Sequence, residues 1–141
     1  MIKIVIDTNI LISGTFWNGA PYSIIRLIDL GEVILIMSRP IFAEYDIVVR
    51  RDEIMDKTAY EEAKIKSVRE ILQTALIVNP VNRIKFVIED PDDDKFIEAA
   101  HEGKADYIIS RDRHLLKLKN YEDIQIITPE EFLRRYNSSK L

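Results

Sequence analysis

Three aspartates stand where a carboxylate can do chemistry: Asp7, Asp93 and Asp112. Asp7 ends the apolar run Ile4-Val5-Ile6, and Asp112 follows Ser110 just beyond the run Asp106-Tyr107-Ile108-Ile109. An acid at a strand end also has a plain role, opening a turn or capping a helix. Asp93 carries a sharper signal. It shares helical phase with Phe96, Ile97 and Ala100, so it belongs to the apolar stripe, while Asp94 projects about 100° away. Any first-turn acid favours a helix dipole. That covers Asp90, Asp92 and Asp94 better than it covers Asp93. Residues 89–106 hold eight acids (Glu89, Asp90, Asp92, Asp93, Asp94, Glu98, Glu102, Asp106) against Lys95 and Lys104. Several carboxylates in one cleft are unfavourable without a cation. Hard oxygen donors, with no cysteine and only His101 and His114, select Mg2+ or Mn2+. Such an ion polarises a phosphoryl oxygen and lowers the pKa of a bound water.

Glu44 is a fourth candidate. Ile41, Phe42, Tyr45, Val48 and Val49 form a helical apolar stripe, with Glu44 on one edge and Asp46 on the other. The pattern leaves the choice between them open, and a solvated edge suits both.

The elements that must position these acids alternate between strand and helix. Strands are expected at 2–6, 33–37, 106–109 and 124–127, and an ambiguous one at 84–88. Helices are expected at 20–30, with Pro21 near its start and Gly31 past its end, and from Ser38 as cap to about Arg50. Further helices are expected over 52–76, from Asp93 to Glu102 with Gly103 ending it, and from Pro129 through Tyr136. Strands that are apolar throughout imply burial on both faces. The expected fold is therefore a three-layer α/β/α sandwich with a mainly parallel central sheet. Ligands of such sheets sit outside the carboxyl ends of the strands. There the sequence places Asp7-Thr8-Asn9, Ser38 and Ser110-Arg111-Asp112.

The 141 residues suit one domain, 1–141, and are enough for a proper core. Hydrophobic residues are 47% and charged residues 31%, a globular balance. Twenty Lys+Arg against 24 Asp+Glu give a net charge of −4, which rules out a basic nucleic-acid coat but not a local basic patch. The absence of cysteine excludes disulfides, thiolate zinc sites and thiol nucleophiles. No apolar run is long enough for a signal peptide or a membrane span. A soluble, cytoplasmic chain is expected.

Four segments in order resemble the motifs of the PIN-domain family, in particular its small prokaryotic members, the VapC-like ribonucleases of toxin–antitoxin pairs. They are VIDTNILISG, LIMSRPIFAEY, EDPDDDKFIEAA and ADYIISRDRHLL. Each is weak alone; four in order across nearly the whole chain are specific. The resemblance places the family's acidic quartet on Asp7, Glu44, Asp93 and Asp112, and so chooses Glu44 over Asp46. Asp90 is a recurrent family position, and Asp94 is the alternative if the run Asp92-Asp93-Asp94 slips by one. Thr8, Asn9, Ser13 and Ser110 match polar motif positions, with hydrogen-bonding roles toward the carboxylates or a metal-bound water. Ser110 stands where Thr is common, and Arg111 where Gly is frequent.

What the resemblance implies is a Mg2+- or Mn2+-dependent endoribonuclease. Asp7, Asp93 and Asp112 would hold the metal, and Glu44 would complete the cage or orient the attacking water. The implied partners are an RNA substrate, a protein antitoxin covering the acidic cleft, and a second copy in a homodimer or higher oligomer. Arg50, Arg51, Arg111, Arg113, His114, Lys117 and Lys119 are candidates for a basic rim that admits RNA, although solvated surface explains them as well. Phe16 and Trp17, in the loop after the first motif, are candidates to stack on bases. Two other readings compete. A haloacid-dehalogenase-type phosphohydrolase also starts with an Asp after a first strand, but wants a second Asp where Asn9 stands. A catalytically silent PIN fold that only binds RNA or protein would be favoured by loss of an acid, and all four are present.

Overall fold

The computed structural model describes residues 1–51 and 59–139. The first part of the helical pattern at 52–76 therefore lies outside the described residues. The chain runs β1 (Lys3–Ile6), α1 (Thr8–Phe16), α2 (Ala20–Asp29), β2 (Ile34–Met37), α3 (Arg39–Val49), α4 (Ala59–Leu72) and β3 (Leu76–Ile77). It continues with a 3-10 turn (Pro91–Asp93), α5 (Asp94–Gly103), β4 (Tyr107–Ile109), α6 (Arg113–Leu116), β5 (Asn120–Tyr121), β6 (Ile124–Ile127) and α7 (Pro129–Ser139). The sheet order is β3-β2-β1-β4-β6-β5, parallel except for β5 against β6.

Consecutive residues of a strand face opposite sides of the sheet. Ile4, Val5 and Ile6 are all buried, as are Leu35, Ile36 and Met37, so both faces of the central strands are covered. This is the expected α/β/α sandwich. α5 packs across β1, β2 and β4, while α1 packs on α2, α3 and α4 and α2 on α7. Strand order reverses at β1, which has β2 on one side and β4 on the other. A crevice opens at such a point, outside the carboxyl ends of the two diverging strands. Among the described residues no helix is long and apolar enough to cross a membrane.

Several elements depart from expectation for local reasons. α1 begins straight after β1, so Phe16 is its last residue and lies in no loop. Ile10, Leu11, Ile12, Gly14 and Thr15 are all buried, leaving only the narrow strip of Asn9 and Ser13 to reveal a helix by its periodicity. α4 stops at Leu72, where Thr74 Oγ1 donates to the Ile71 carbonyl at 2.7 Å, and Leu76–Ile77 join the sheet beside β2 instead of prolonging the helix. The run 84–88 is not a strand. The carboxylate of Glu98 accepts from the Ile84 N–H (2.9 Å), and that of Asp94 from the N–H groups of Phe86 (3.0 Å) and Val87 (2.7 Å). Side chains of α5 thus do for this segment what a neighbouring strand would. Gly103 does not end α5 by turning. It is the last helical residue, and Lys104 takes the left-handed conformation with φ 55°. A Cβ on Gly103 would stand 2.7 Å from Ile36 Cδ1, so packing against the sheet is what this position requires.

Gly14, in the first motif, has a similar cause. A Cβ there would lie 2.4 Å from Ile25 Cδ1 and 3.1 Å from the carbonyl carbon and oxygen of Pro21, so it marks the close crossing of α1 and α2. Gly14→Ala should cost about 1–3 kcal/mol through overpacking against backbone that cannot step aside. Urea unfolding would check this; an unchanged midpoint would mean that the two helices can spread without loss.

Candidate active site and metal centre

The register of β1 and β4 builds the floor of the site. Ile6 pairs with Ile109, and the Asp7 N–H donates to the Ile109 carbonyl at 3.0 Å, which sets Asp7 beside Ser110. Asp7 is 4% exposed. One carboxylate oxygen accepts from the Ile10 N–H at 3.1 Å, capping α1; the other accepts the Ser110 hydroxyl proton. Ser110 Oγ in turn accepts the Asp112 N–H at 2.9 Å, and Asp112 caps α6 by accepting from the His114 N–H at 2.8 Å. The plain cap role and the site role therefore coexist in Asp7 and Asp112. Burial is the main reason that the Asp7 carboxyl sits above its ordinary range; the bonds from Ser110 and Ile10 pull the other way, and Asp112 adds a smaller push upward.

The third motif supplies the wall. Carboxylate oxygens of Asp90, Asp93 and Asp112 lie within 4.8 Å of one another. Asp93 is at the N-cap position of α5 but makes no cap bond, and its Oδ2 is buried without a partner. Burial, then the neighbouring charges of Asp90, Asp112 and Asp7, push the Asp93 carboxyl up to about 7. An orphaned carboxylate oxygen facing two other acids is a donor set that fits a hard divalent cation. Asp94 points elsewhere: it carries the 86–87 backbone and is not among these three.

Glu44 and Asp46 separate cleanly. Asp46 pairs with Arg69 and ties α3 to α4. Glu44 accepts the Thr8 hydroxyl proton and pairs with Lys95 Nζ at 2.8 Å. Lys95 also bonds the carboxylate and the carbonyl of Asp92, each at 2.9 Å. The sequence pattern sets Lys95 against the acids of 89–106 without a role, although the Asp92–Lys95 spacing of three signals the pair. Among the described residues no hydrogen bond joins the side chains of Asn9 or Ser13 to a carboxylate; the Ser13 carbonyl accepts from Trp17.

Among the described residues, three of the seven basic-rim candidates are engaged in ion pairs. Arg111 pairs with Glu130, while His114 (2.7 Å) and Lys117 both pair with Glu89. Arg113 and Lys119 are exposed, and Arg50 and Arg51 end α3 at the opposite end from Ser38. Trp17 is 64% exposed, with its ring edge-on to Phe16 at 5.9 Å.

A mainly parallel sheet gathers acids from three separate segments at its switch point, the lining of a candidate metal site. The sequence profile of the PIN domain matches residues 3–114, which include Asp7, Glu44, Asp90, Asp93 and Asp112. The chain belongs to the PIN-domain family. PIN domains are generally nucleases, hydrolases that use divalent metals. The uncharacterized protein MJ1680 of Methanocaldococcus jannaschii is 31% identical over 144 residues, which cover 96% of this chain and 92% of that one. The fold is also similar to the crystal structure of PAE2754 from Pyrobaculum aerophilum, with a TM-score of 0.66 at 14% identity over 97% of this chain and 90% of that one.

Proposed function

We propose that this chain is a Mg2+- or Mn2+-dependent endoribonuclease that hydrolyses phosphodiester bonds at the β1/β4 edge. The observation that carries the reading is the unpartnered, buried Oδ2 of Asp93 set among Asp90 and Asp112. Asp90, Asp93 and Asp112 would hold the ion, with Asp7 beneath them. When bound, the ion would polarise a phosphoryl oxygen and acidify water. The chain's own residues do the rest. Ser110 fixes the rotamer of Asp7 and the start of the Asp112 segment through one hydroxyl. Thr8 and Lys95 hold Glu44 between them, and in this reading its carboxylate would orient a water and accept its proton.

RNA is the substrate that the family resemblance supports, and a cytoplasmic site of action goes with that reading. A toxin role, countered by a protein antitoxin, belongs to the same reading, as does self-association. Exposed Trp17, Tyr22 and Tyr60 line a groove of about 440 Å3 between α1, α2 and α4, a surface of the kind that takes a protein partner.

The test is cleavage of labelled mixed-sequence RNA and DNA with Mn2+, Mg2+ or EDTA, beside an Asp7→Asn variant. Asn keeps an acceptor for Ile10 and a group for Ser110, so the fold should survive. Metal-dependent cutting of RNA, lost in EDTA and in the variant, is expected. Cutting that persists in EDTA, or that is undiminished in Asp7→Asn, would sink the reading; a preference for DNA would overturn the substrate.

A further inference from the structure

Two buried side-chain oxygens lack a partner among the described residues, and both belong to N-cap residues at the carboxyl edge of the sheet: Asp93 and Ser38. The first faces carboxylates. The second belongs to a residue that lines a cavity together with Arg39, Arg83 and Lys95. Ser38 is 2% exposed and has the extended backbone of an N-cap residue, yet its hydroxyl makes no cap bond to α3. This corrects the expectation that Ser38 caps that helix through its side chain. The first turn of the eleven-residue α3 therefore keeps the N–H groups of Arg39 and Ile41 without a capping side chain, and Pro40 has none to offer. Such a turn attracts an anion.

A cavity of about 180 Å3 opens at this point, between the start of α3, the segment after β3 and the first turns of α5. Ser38, Arg39, Arg83 and Lys95 line it. So does Glu98, but its carboxylate is turned to the Ile84 N–H at 2.9 Å and lies 3.9 Å from Arg83. Arg39 is exposed and makes no ion pair among the described residues, and the Arg83 side chain is 87% exposed. Arg39 is thus free to close on a ligand, and Arg83, whose side chain is held among the described residues only by the 3.9 Å pair with Glu98, joins it by exchanging that pair. The cavity also adjoins the acidic centre, because Lys95 lines it while its ammonium holds Glu44 at 2.8 Å.

We infer that this cavity is a phosphate subsite for a nucleic-acid strand, holding a backbone phosphate that flanks the one to be cut. Ser38 Oγ and the open N–H groups of α3 contact the phosphate, and Arg39 and Arg83 neutralise it. The inference rests on the nuclease reading above and deepens it. It gives an acidic chain a local means of seating RNA, and the strand runs along the sheet edge from β1/β4 toward β2/β3. Arginine suits the task because its planar fork meets two phosphate oxygens at once.

The test uses fluorescence anisotropy of a labelled RNA oligonucleotide in EDTA, on full-length protein carrying Asp7→Asn, so that binding is read apart from catalysis. Single methylphosphonate linkages, which are uncharged, are placed at each position in turn. In the Asp7→Asn protein one or two linkages should weaken binding about ten-fold. Adding Arg39→Gln and Arg83→Gln should weaken the unmodified RNA by a similar factor, flatten the salt dependence by about one unit per contact, and erase the methylphosphonate penalty. Ser38→Ala is the second variant. Because it removes an unpartnered hydroxyl, the free protein should keep its melting temperature while RNA binding falls. Equal affinity with and without the arginines, or a methylphosphonate penalty that survives their loss, overturns the subsite. Inorganic phosphate that stabilises the protein through Arg39 and Arg83 without any methylphosphonate effect would assign the cavity to free phosphate, and also overturns it. RNA that binds neither form refutes the nuclease reading together with the subsite, whereas unchanged binding beside metal-dependent cleavage by the native chain refutes the subsite alone.

Discussion

Asp93→Asn is expected to abolish metal-dependent cleavage and, in the absence of metal, to make the protein more stable. Both effects come from the same crowding. Asp93 is half-buried beside Asp90 and Asp112, and its carboxyl is pushed up to about 7, first by burial and then by those charges and Asp7. In the unfolded chain the group returns to 3.8. Between those values the folded state holds a proton that the unfolded state has lost, so stability falls as the pH rises from about 4 to about 7. Above about 7 the full penalty is present; below about 4 it is absent. Solvent screening at a half-buried site leaves about 1–2 kcal/mol of it. Asn cannot ionise, and its amide can donate to the neighbouring carboxylates, so the variant should show a flatter profile and a higher urea midpoint at pH 8 in EDTA. Adding Mn2+ should reverse the order, because the native chain gains stability by binding the ion and the variant gains less. Activity should drop about 100- to 1,000-fold, the scale of losing one preorganised charge-stabilising group. A variant that cut RNA normally, or that was no more stable than the native chain at pH 8 without metal, would remove Asp93 from the centre.

Legibility of this site in the sequence varied with how local each signal was. Asp93 was visible because a helix converts spacing into direction, and one acid fell in phase with Phe96, Ile97 and Ala100, all of them residues of α5 with buried side chains. Asp7 and Asp112 were visible as acids at the ends of apolar runs, but their cap roles were equally legible, and the structure keeps both. What no spacing could reveal was the register. Ser110 reaches Asp7 only because Ile6 pairs with Ile109, more than a hundred residues away in sequence. The separation of Glu44 from Asp46 depends likewise on Lys95 and Arg69 from other helices. Within the pattern of α3 alone the two edges were equivalent, and only the family motif broke the tie.

The fold was read at the level of its long elements. The central strands and α2, α3, α5 and α7 follow from apolar runs and capping residues. α1 escaped because it is buried on nearly all sides, and the short β3 and β5 because two residues carry no period. The segment 84–88 misled in the other direction. Its composition suits a strand, yet β2 is flanked by β1 and β3, and the segment finds its hydrogen-bond acceptors on α5 instead. Local preference was overruled by which partner was within reach.

That same segment makes Asp94→Ala the counterpart of Asp93→Asn, with effects of opposite sign from the adjacent residue. One oxygen of Asp94 accepts from both Phe86 (3.0 Å) and Val87 (2.7 Å). Val87 is 1% exposed, and Phe86 packs edge-on to Tyr121 with ring centroids 4.9 Å apart, so the clip holds apolar groups in place as well as satisfying two N–H groups. Removing it should cost about 1–3 kcal/mol, the price of leaving donors without an acceptor in a partly buried setting. The loop then leads into Asp90, whose N–H donates to the Val87 carbonyl at 3.2 Å and whose own carbonyl accepts from Asp93 at 3.0 Å. Loosening it should therefore raise the concentration of metal needed for half-maximal cleavage. Since Asp94 is not one of the three clustered acids, the rate at saturating Mn2+ should stay within about three-fold of native, far from the loss expected for a group that stabilises developing charge. The measurement is urea unfolding together with a metal titration of the cleavage rate. A stable Asp94→Ala protein that stayed inactive at every metal concentration would shift the third-motif ligand by one residue, and would show that the 86–87 backbone can hold its place without the clip.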